Sequence, residues 1–232
     1  KTSQSDIQTA EQAYRIGKER GEELGALGIN LNLSPVLDQA HPLDFIFERT
    51  FQAERSQEGL LAKSLLTGQK HARVLSALKH FPGYGTIPFD PETKLAVVEK
   101  LPDISAFQTA LAAQPEFLLL SNAIYPQVNP NKPFTFSPEG TALARSDLGF
   151  EGILLSDDLF QLSLFDNYAL EGIVLSPFLA GVDMTILSNE SYAQKAYEIL
   201  LEQAKNDSQL KANIEASAAK ILDLKNNFLS PY

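Results

Sequence analysis

The sequence predicts an α/β fold around a parallel sheet, and three observations carry that expectation. Short apolar runs alternate with longer amphipathic stretches along all 232 residues. The runs lie at residues 29–33, 74–78, 117–120, 153–155 and 182–187, and those at 117–120 and 153–155 are apolar at every position, as parallel strands covered on both faces require. Polar residues follow each run, where a strand of such a sheet hands over to a loop.

Helices are expected between and around these strands at residues 5–27, 52–72, 104–113, 138–148, 168–180 and 191–205. A last helix at 209–227 carries Leu210, Ile214, Ala218, Ile221 and Leu224 at three- and four-residue spacing, which makes one packed face. No linker, charge block or fixed-period repeat interrupts the pattern. Residues 1–232 are therefore expected to form a single domain.

Composition narrows the function classes. With 44% hydrophobic and 21% charged residues the chain can bury a real core. Its 19 Lys and Arg against 29 Asp and Glu give a formal charge of −10, which argues against a partner as anionic as nucleic acid. The absence of cysteine excludes disulfide scaffolds and zinc–thiolate sites while leaving the compartment open. No apolar run approaches the roughly 20 residues of a membrane-spanning helix, and no signal-peptide pattern opens the chain. Because it starts on Lys1 and holds a single methionine, Met184, an upstream segment is expected.

The residues after the runs carry the chemistry. Asp38 follows the first, Lys79-His80 the second, Ser121-Asn122 the third, Ser156-Asp157-Asp158 the fourth and Ser188-Asn189 the fifth. In a parallel sheet these groups share the carboxyl rim, where α/β folds place their sites. Any one of them reads equally as a helix cap; five on one rim favour a site.

Lys79-His80-Phe81-Pro82-Gly83-Tyr84-Gly85 is the densest signal, a cation and an imidazole at a strand end followed by residues that let the chain turn sharply. It is not a phosphate loop, because Pro88 stands where a dinucleotide fingerprint needs its third glycine. His80 reads either as a satisfied core histidine or as a ligand group. The following loop, 86–94, brings Asp90 and Glu92 over the rim. Asp157 can serve as a nucleophile toward an acetal carbon if a second group protonates the leaving oxygen; alternatively Asp157 and Asp158 cap a helix. Arg49 is a clamp for carboxylates or hydroxyls, or the ion-pair partner of Glu48. With only His41, His71 and His80, and no Gly-x-Ser-x-Gly elbow, hydrolytic triads are unsupported, and no metal-ligand spacing is present.

These pieces, in order, resemble the N-terminal domain of glycoside hydrolase family 3, and within it the bacterial β-N-acetylglucosaminidase (β-N-acetylhexosaminidase) branch. The matching segments run from Gly28-Ile29-Asn30-Leu31-Asn32-Leu33-Ser34-Pro35-Val36-Leu37-Asp38 through Glu48-Arg49-Thr50-Phe51 to Lys79-His80-Phe81-Pro82-Gly83. After them come Ala123-Ile124-Tyr125, Ser156-Asp157-Asp158-Leu159 and Ala180-Gly181-Val182-Asp183-Met184. The resemblance implies a (β/α)8 TIM-type barrel whose first strands are missing from this chain, since five strands cannot close an eight-stranded barrel.

The resemblance also implies retaining hydrolysis of terminal β-linked N-acetylhexosamine from cell-wall or chitin-type glycans. Asp157 would be the nucleophile, while Asp38, Arg49, Lys79, His80 and Asn122 would form the sugar-binding rim. In this branch the acid/base is a histidine two residues after an aspartate; here the loop reads Asp90-Pro91-Glu92, so Glu92 takes that role with Asp90 beside it. Tyr84 and Asn122 likewise stand where the branch has histidines. No metal, nucleotide or flavin cofactor is implied, and the expected location is cytoplasmic or cell-associated in a bacterium. The competing reading is a family 3 barrel that has lost its acid/base and binds glycan or protein; a third is hydrolysis or phosphorolysis of an unacetylated sugar.

Overall fold

The computed structural model describes residues 2–229. Its centre is a five-stranded parallel sheet of β1 (Leu31–Asn32), β2 (Leu75–Phe81), β3 (Phe117–Leu120), β6 (Ile153–Asp158) and β7 (Met184–Ile186), hydrogen-bonded in that order. The sheet curls into half of a barrel, so the expected (β/α)8 architecture is met only in part. Among the described residues β1 and β7 each pair on one side only.

Strand boundaries depart from the apolar runs for identifiable reasons. The first strand shrinks to Leu31–Asn32, because the Ser34 N–H turns back to the Asn32 carbonyl (2.9 Å) instead of joining the ladder. Pairing resumes beyond it, where Lys79 N–H donates to the Pro35 carbonyl (3.1 Å) and Leu37 N–H to the Lys79 carbonyl (2.6 Å). That resumption sets Asp38 beside His80. β6 runs past its apolar residues to Asp158, whose backbone still pairs with Ile186 of β7.

The helices are α1 (Ala10–Ala26), α2 (Arg55–His71), α3 (Ser105–Ala110), α4 (Pro138–Ala142), α5 (Leu162–Phe165), α6 (Leu170–Ala180), α7 (Glu190–Asn206) and α8 (Ser208–Leu229). Thr9 caps α1 by accepting from Gln12 N–H, and Asn189 caps α7 by accepting from Tyr192 N–H. The helix expected over 138–148 is instead the single turn α4 followed by a π turn, Leu143–Asp147. The sequence reading missed the short α5 and the antiparallel pair β4 (Ile124–Tyr125) and β5 (Asn129–Pro133). The Asn-Pro-Asn-Lys-Pro composition of β5 reads as loop, and only an edge position tolerates its prolines.

Alternate strand residues feed two apolar layers. Leu78, Leu118, Leu120 and Leu154 pack with Ile16 of α1, Leu61 and Leu65 of α2 and Phe107 of α3. On the other face Leu75, Ala77, Phe117, Leu119, Ile153 and Leu155 meet Ile221, Leu224 and Phe228 of α8. Apolar side chains cover both faces of β3 and β6, which is why the runs at 117–120 and 153–155 are continuous rather than alternating. Helices α1 and α2 cross so closely that a Cβ on Gly17 would lie 2.2 Å from the Leu65 carbonyl oxygen, and one on Gly68 2.2 Å from that of Tyr14. Rigid backing of this kind fixes the strand ends that bear the polar groups. No helix of the described residues is long and apolar enough to cross a membrane.

Candidate active site

The carboxyl end of β2 is the anchor. Asp38 is fully buried; its Oδ2 accepts from His80 N–H (3.2 Å) and lies 2.7 Å from His80 Nδ1, and its Oδ1 accepts from Tyr84 N–H (2.7 Å). Burial pushes the Asp38 carboxyl up, but the charge of His80 and these hydrogen bonds outweigh it and hold the group below the ordinary value. With Asp38 as acceptor, Nδ1 carries the proton, and Nε2 is turned toward Asp157 Oδ2 at 4.0 Å. Asp38 was expected at the sugar-binding rim. Its complete burial and saturated oxygens place it beneath that rim, where it orients His80 and Tyr84.

Asp157 stands at the end of β6. Its Oδ2 accepts from Tyr84 Oη (2.8 Å), its Oδ1 accepts from Asp158 N–H (2.9 Å), and its side chain remains one-fifth exposed. The neighbouring Asp158 behaves as a loop cap, its Oδ1 accepting from Phe160 N–H (2.9 Å) and Ser188 N–H (3.1 Å). The capping reading of this acidic pair thus holds for Asp158.

Lys79 is half-buried and has no ion-pair partner within 4 Å among the described residues. Burial lowers its pKa and the charge of Arg49 lowers it further, while Asp157 and Asp38 oppose. Arg49 ends a 3-10 turn (Phe47–Arg49), is exposed, and forms no ion pair with Glu48 within 4 Å. Its charge acts on Lys79 and on Glu92. The charges of Lys79 and Arg49 thus bear on the carboxylates at this rim.

The loop after β2 folds over this rim. Ser163 N–H donates to the Glu92 carbonyl (3.0 Å), pinning the loop to the segment that follows Asp157, and Asp90 Oδ1 accepts from Glu92 N–H (2.9 Å). Partial burial raises the Glu92 pKa, with Asp90, then Asp157 and Asp158, adding like-charge repulsion and Arg49 opposing it. Glu92 thereby holds a proton more tightly than an ordinary glutamate. Asp90 itself is exposed and shapes the turn.

Asn122 is buried, and its amide is committed to the protein: Nδ2 donates to the Asp158 carbonyl (2.9 Å) and to Gln161 Oε1 (3.3 Å), while Oδ1 accepts from Thr135 (2.8 Å). It ties the end of β3 to the loop after β6 rather than facing a ligand, a departure from the expected sugar contact. Tyr84, which the sequence marked only as standing where the branch has a histidine, joins the site through its hydroxyl; its place between Gly83 and Gly85 (φ +121° and +64°) lets the turn bring it there. A cavity of about 570 Å³ opens on another side of the same loop, between Gly85, Thr86 and Ile87 and the 97–103 segment; none of Lys79, Glu92 or Asp157 lines it.

Similarity to known proteins agrees with this fold. The β-hexosaminidase of Shewanella frigidimarina is 30% identical over 206 residues, covering 84% of this chain and 59% of that protein. The β-hexosaminidase of Methylobacillus flagellatus is 31% identical over 200 residues, covering 81% and 56%. The chain thus spans somewhat over half the length of these relatives. Among solved structures, β-N-acetylhexosaminidase from Beutenbergia cavernae superposes with a TM-score of 0.88 at 26% identity, over 96% of this chain and 70% of that one. A family 3 β-N-acetylglucosaminidase from Paenibacillus sp. gives 0.88 at 25%, over 97% and 45%. The family model for the glycosyl hydrolase family 3 N-terminal domain matches residues 2–224. A half-barrel with its polar groups gathered at the carboxyl ends of the strands, matched by that model over nearly its whole length, belongs to glycosyl hydrolase family 3.

Proposed function

We propose that the protein carrying this chain is a retaining glycoside hydrolase that releases terminal β-linked N-acetylhexosamine from cell-wall or chitin-type glycans. The observation that carries this reading is Asp157. It is a strand-end carboxylate with open lone pairs, held by Tyr84 Oη, 4.0 Å from His80 Nε2 and within electrostatic reach of Lys79 and Glu92. A buried carboxylate kept only for structure would be saturated; this one is held and left reachable.

In the first half of the reaction an Asp157 oxygen attacks the anomeric carbon, the bond to the leaving oxygen breaks, and the Glu92 carboxyl gives that oxygen its proton. In the second half water attacks the same carbon, its proton passes to Glu92, and the Asp157–sugar bond breaks with its electron pair returning to the carboxylate. Lys79, His80 and Arg49 hold sugar hydroxyls, and Asp38 and Asn122 keep the strand ends in place.

The experiment is turnover of 4-nitrophenyl N-acetyl-β-glucosaminide by the full-length protein. Saturable release that Asp157→Asn abolishes supports the reading. Absence of release, with retained binding of N-acetylhexosamine, would establish the competing one, a barrel that binds glycan without cleaving it.

A further inference from the structure

Tyr84 lies against the reacting carboxylate in a way that the scheme above leaves unused. Its side chain is 2% exposed and its ring is fixed between Phe45 (centroids 5.7 Å apart) and His80 (5.0 Å). Its backbone N–H is spent on Asp38. Its only polar side-chain atom donates to Asp157 Oδ2 at 2.8 Å. Burial and then the charge of Asp157 raise the phenol pKa well above its ordinary value, so the hydroxyl stays a donor throughout any working pH.

We propose that Tyr84 is a positioning residue for Asp157 whose hydroxyl stabilises the carboxylate as it departs from the sugar in the second half of the reaction. The proposal rests on the glycosidase reading. A hydrogen bond to a carboxylate strengthens with the charge on it. While Asp157 attacks, that charge is consumed and the bond from Tyr84 weakens, so the phenol does not favour the first half. When the glycosyl–Asp157 bond breaks, the electron pair returns to the oxygen and the bond tightens. Tyr84 therefore speeds breakdown of the intermediate more than its formation. Of the other groups around Asp157 (His80 and Lys79 from β2, Glu92 from the loop, Asp158 from its own strand), His80 Nε2 stands off at 4.0 Å and the Asp158 N–H is backbone, so Tyr84 is the side chain that hydrogen-bonds Asp157 among the described residues and the one whose share of this asymmetry a substitution can remove.

The test is Tyr84→Phe in the full-length protein with an activated aryl β-N-acetylglucosaminide. Phenylalanine keeps the ring contacts and the backbone bond to Asp38, so a melting temperature close to wild type is expected. kcat falls about ten- to hundredfold, the range for a lost charged hydrogen bond. KM falls with it, a burst of released aryl alcohol appears, and intact mass shows one N-acetylhexosaminyl adduct on the protein. A purely structural role would lower kcat/KM without a burst, and that outcome overturns the proposal, as do unchanged kcat and KM. Wild-type protein that gives neither turnover nor adduct overturns the glycosidase reading and this proposal together. Active wild type with an indistinguishable Tyr84→Phe overturns the role of Tyr84 alone.

Discussion

Asp157 and Asp183 sit in adjoining parts of one sheet and are treated in opposite ways. Asp183 precedes β7 with its side chain 3% exposed. Its Oδ1 accepts from Ser217 (3.0 Å) and Lys220 (2.9 Å) of α8, and its Oδ2 from Leu154 N–H (2.9 Å) and from Arg145. Every lone pair is used, and α8 is thereby bound to β6. Asp157, one-fifth exposed, has one donor from another segment and its neighbour's N–H, with room left on Oδ2. Asp157 follows the 153–155 run with Ser156 between, and Asp183 lies within the 182–187 run, so both are aspartates set against apolar sequence. Saturation separates them: a carboxylate with all partners supplied by protein holds the fold, and one with partners withheld can do chemistry.

Substitutions sharpen that contrast. The largest effect is expected from Asp157→Asn, which removes at least about a thousandfold of turnover while shifting the melting temperature little, because an amide cannot displace the leaving group. Next is Glu92→Gln, for which cleavage of a natural disaccharide falls by about a hundredfold to ten-thousandfold. An activated aryl glycoside needs little protonation and loses far less, and azide speeds its second half. The raised pKa of Glu92 means that its proton is present below that value and lost as pH rises through it. The alkaline limb of kcat/KM belongs to Glu92 and should vanish in the glutamine variant. A wild-type rate on the disaccharide in Glu92→Gln would take the acid role from Glu92 and transfer it to Asp90.

Asp183→Asn reverses the pattern. It leaves Arg145 and Lys220 without a buried counter-charge and costs about 3–5 kcal/mol of stability, on the order of 10 °C in melting temperature, while folded protein retains its kcat. A comparable loss of kcat in the folded fraction would break the comparison. The smallest effect is expected from Asp38→Asn, about 1–3 kcal/mol from the unmatched donors of His80 and Tyr84. Because the folded protein holds Asp38 below its ordinary 3.8, its contribution is present above that value and is lost as pH falls through the depressed one. Denaturant titrations of wild type and Asp38→Asn should therefore converge in acid; parallel curves would show that Asp38 carries no such linkage.

Much of the fold was legible in the sequence because strand pattern is local. The run at 117–120 became β3 without adjustment, bounded by Gln114 in the left-handed region (φ +54°) and by Ser121. The 52–72 stretch became Arg55–His71, since its buried residues Leu61, Leu65 and Leu66 repeat at helical spacing. The hairpin Ile124–Tyr125 with Asn129–Pro133 was not legible. It exists because Phe134 and Tyr125 pack together (5.5 Å) beneath it, and no local pattern announces that contact.

The site divides in the same way. The sequence by itself determined which residues arrive at the carboxyl rim, because a period of two and the end of each apolar run place Lys79, His80, Asn122 and Asp157 there whatever their neighbours are. Only the tertiary structure decided what each does on arrival. The bond from Tyr84 to Asp157 spans 73 positions and that from His80 to Asp38 spans 42. Those partners meet only after the sheet has curled and the Gly83–Gly85 turn has closed. Saturation of a polar group is a property of such long-range meetings, so Asp38 and Asn122 became supports and Asp157 stayed open for reasons that no stretch of sequence contains.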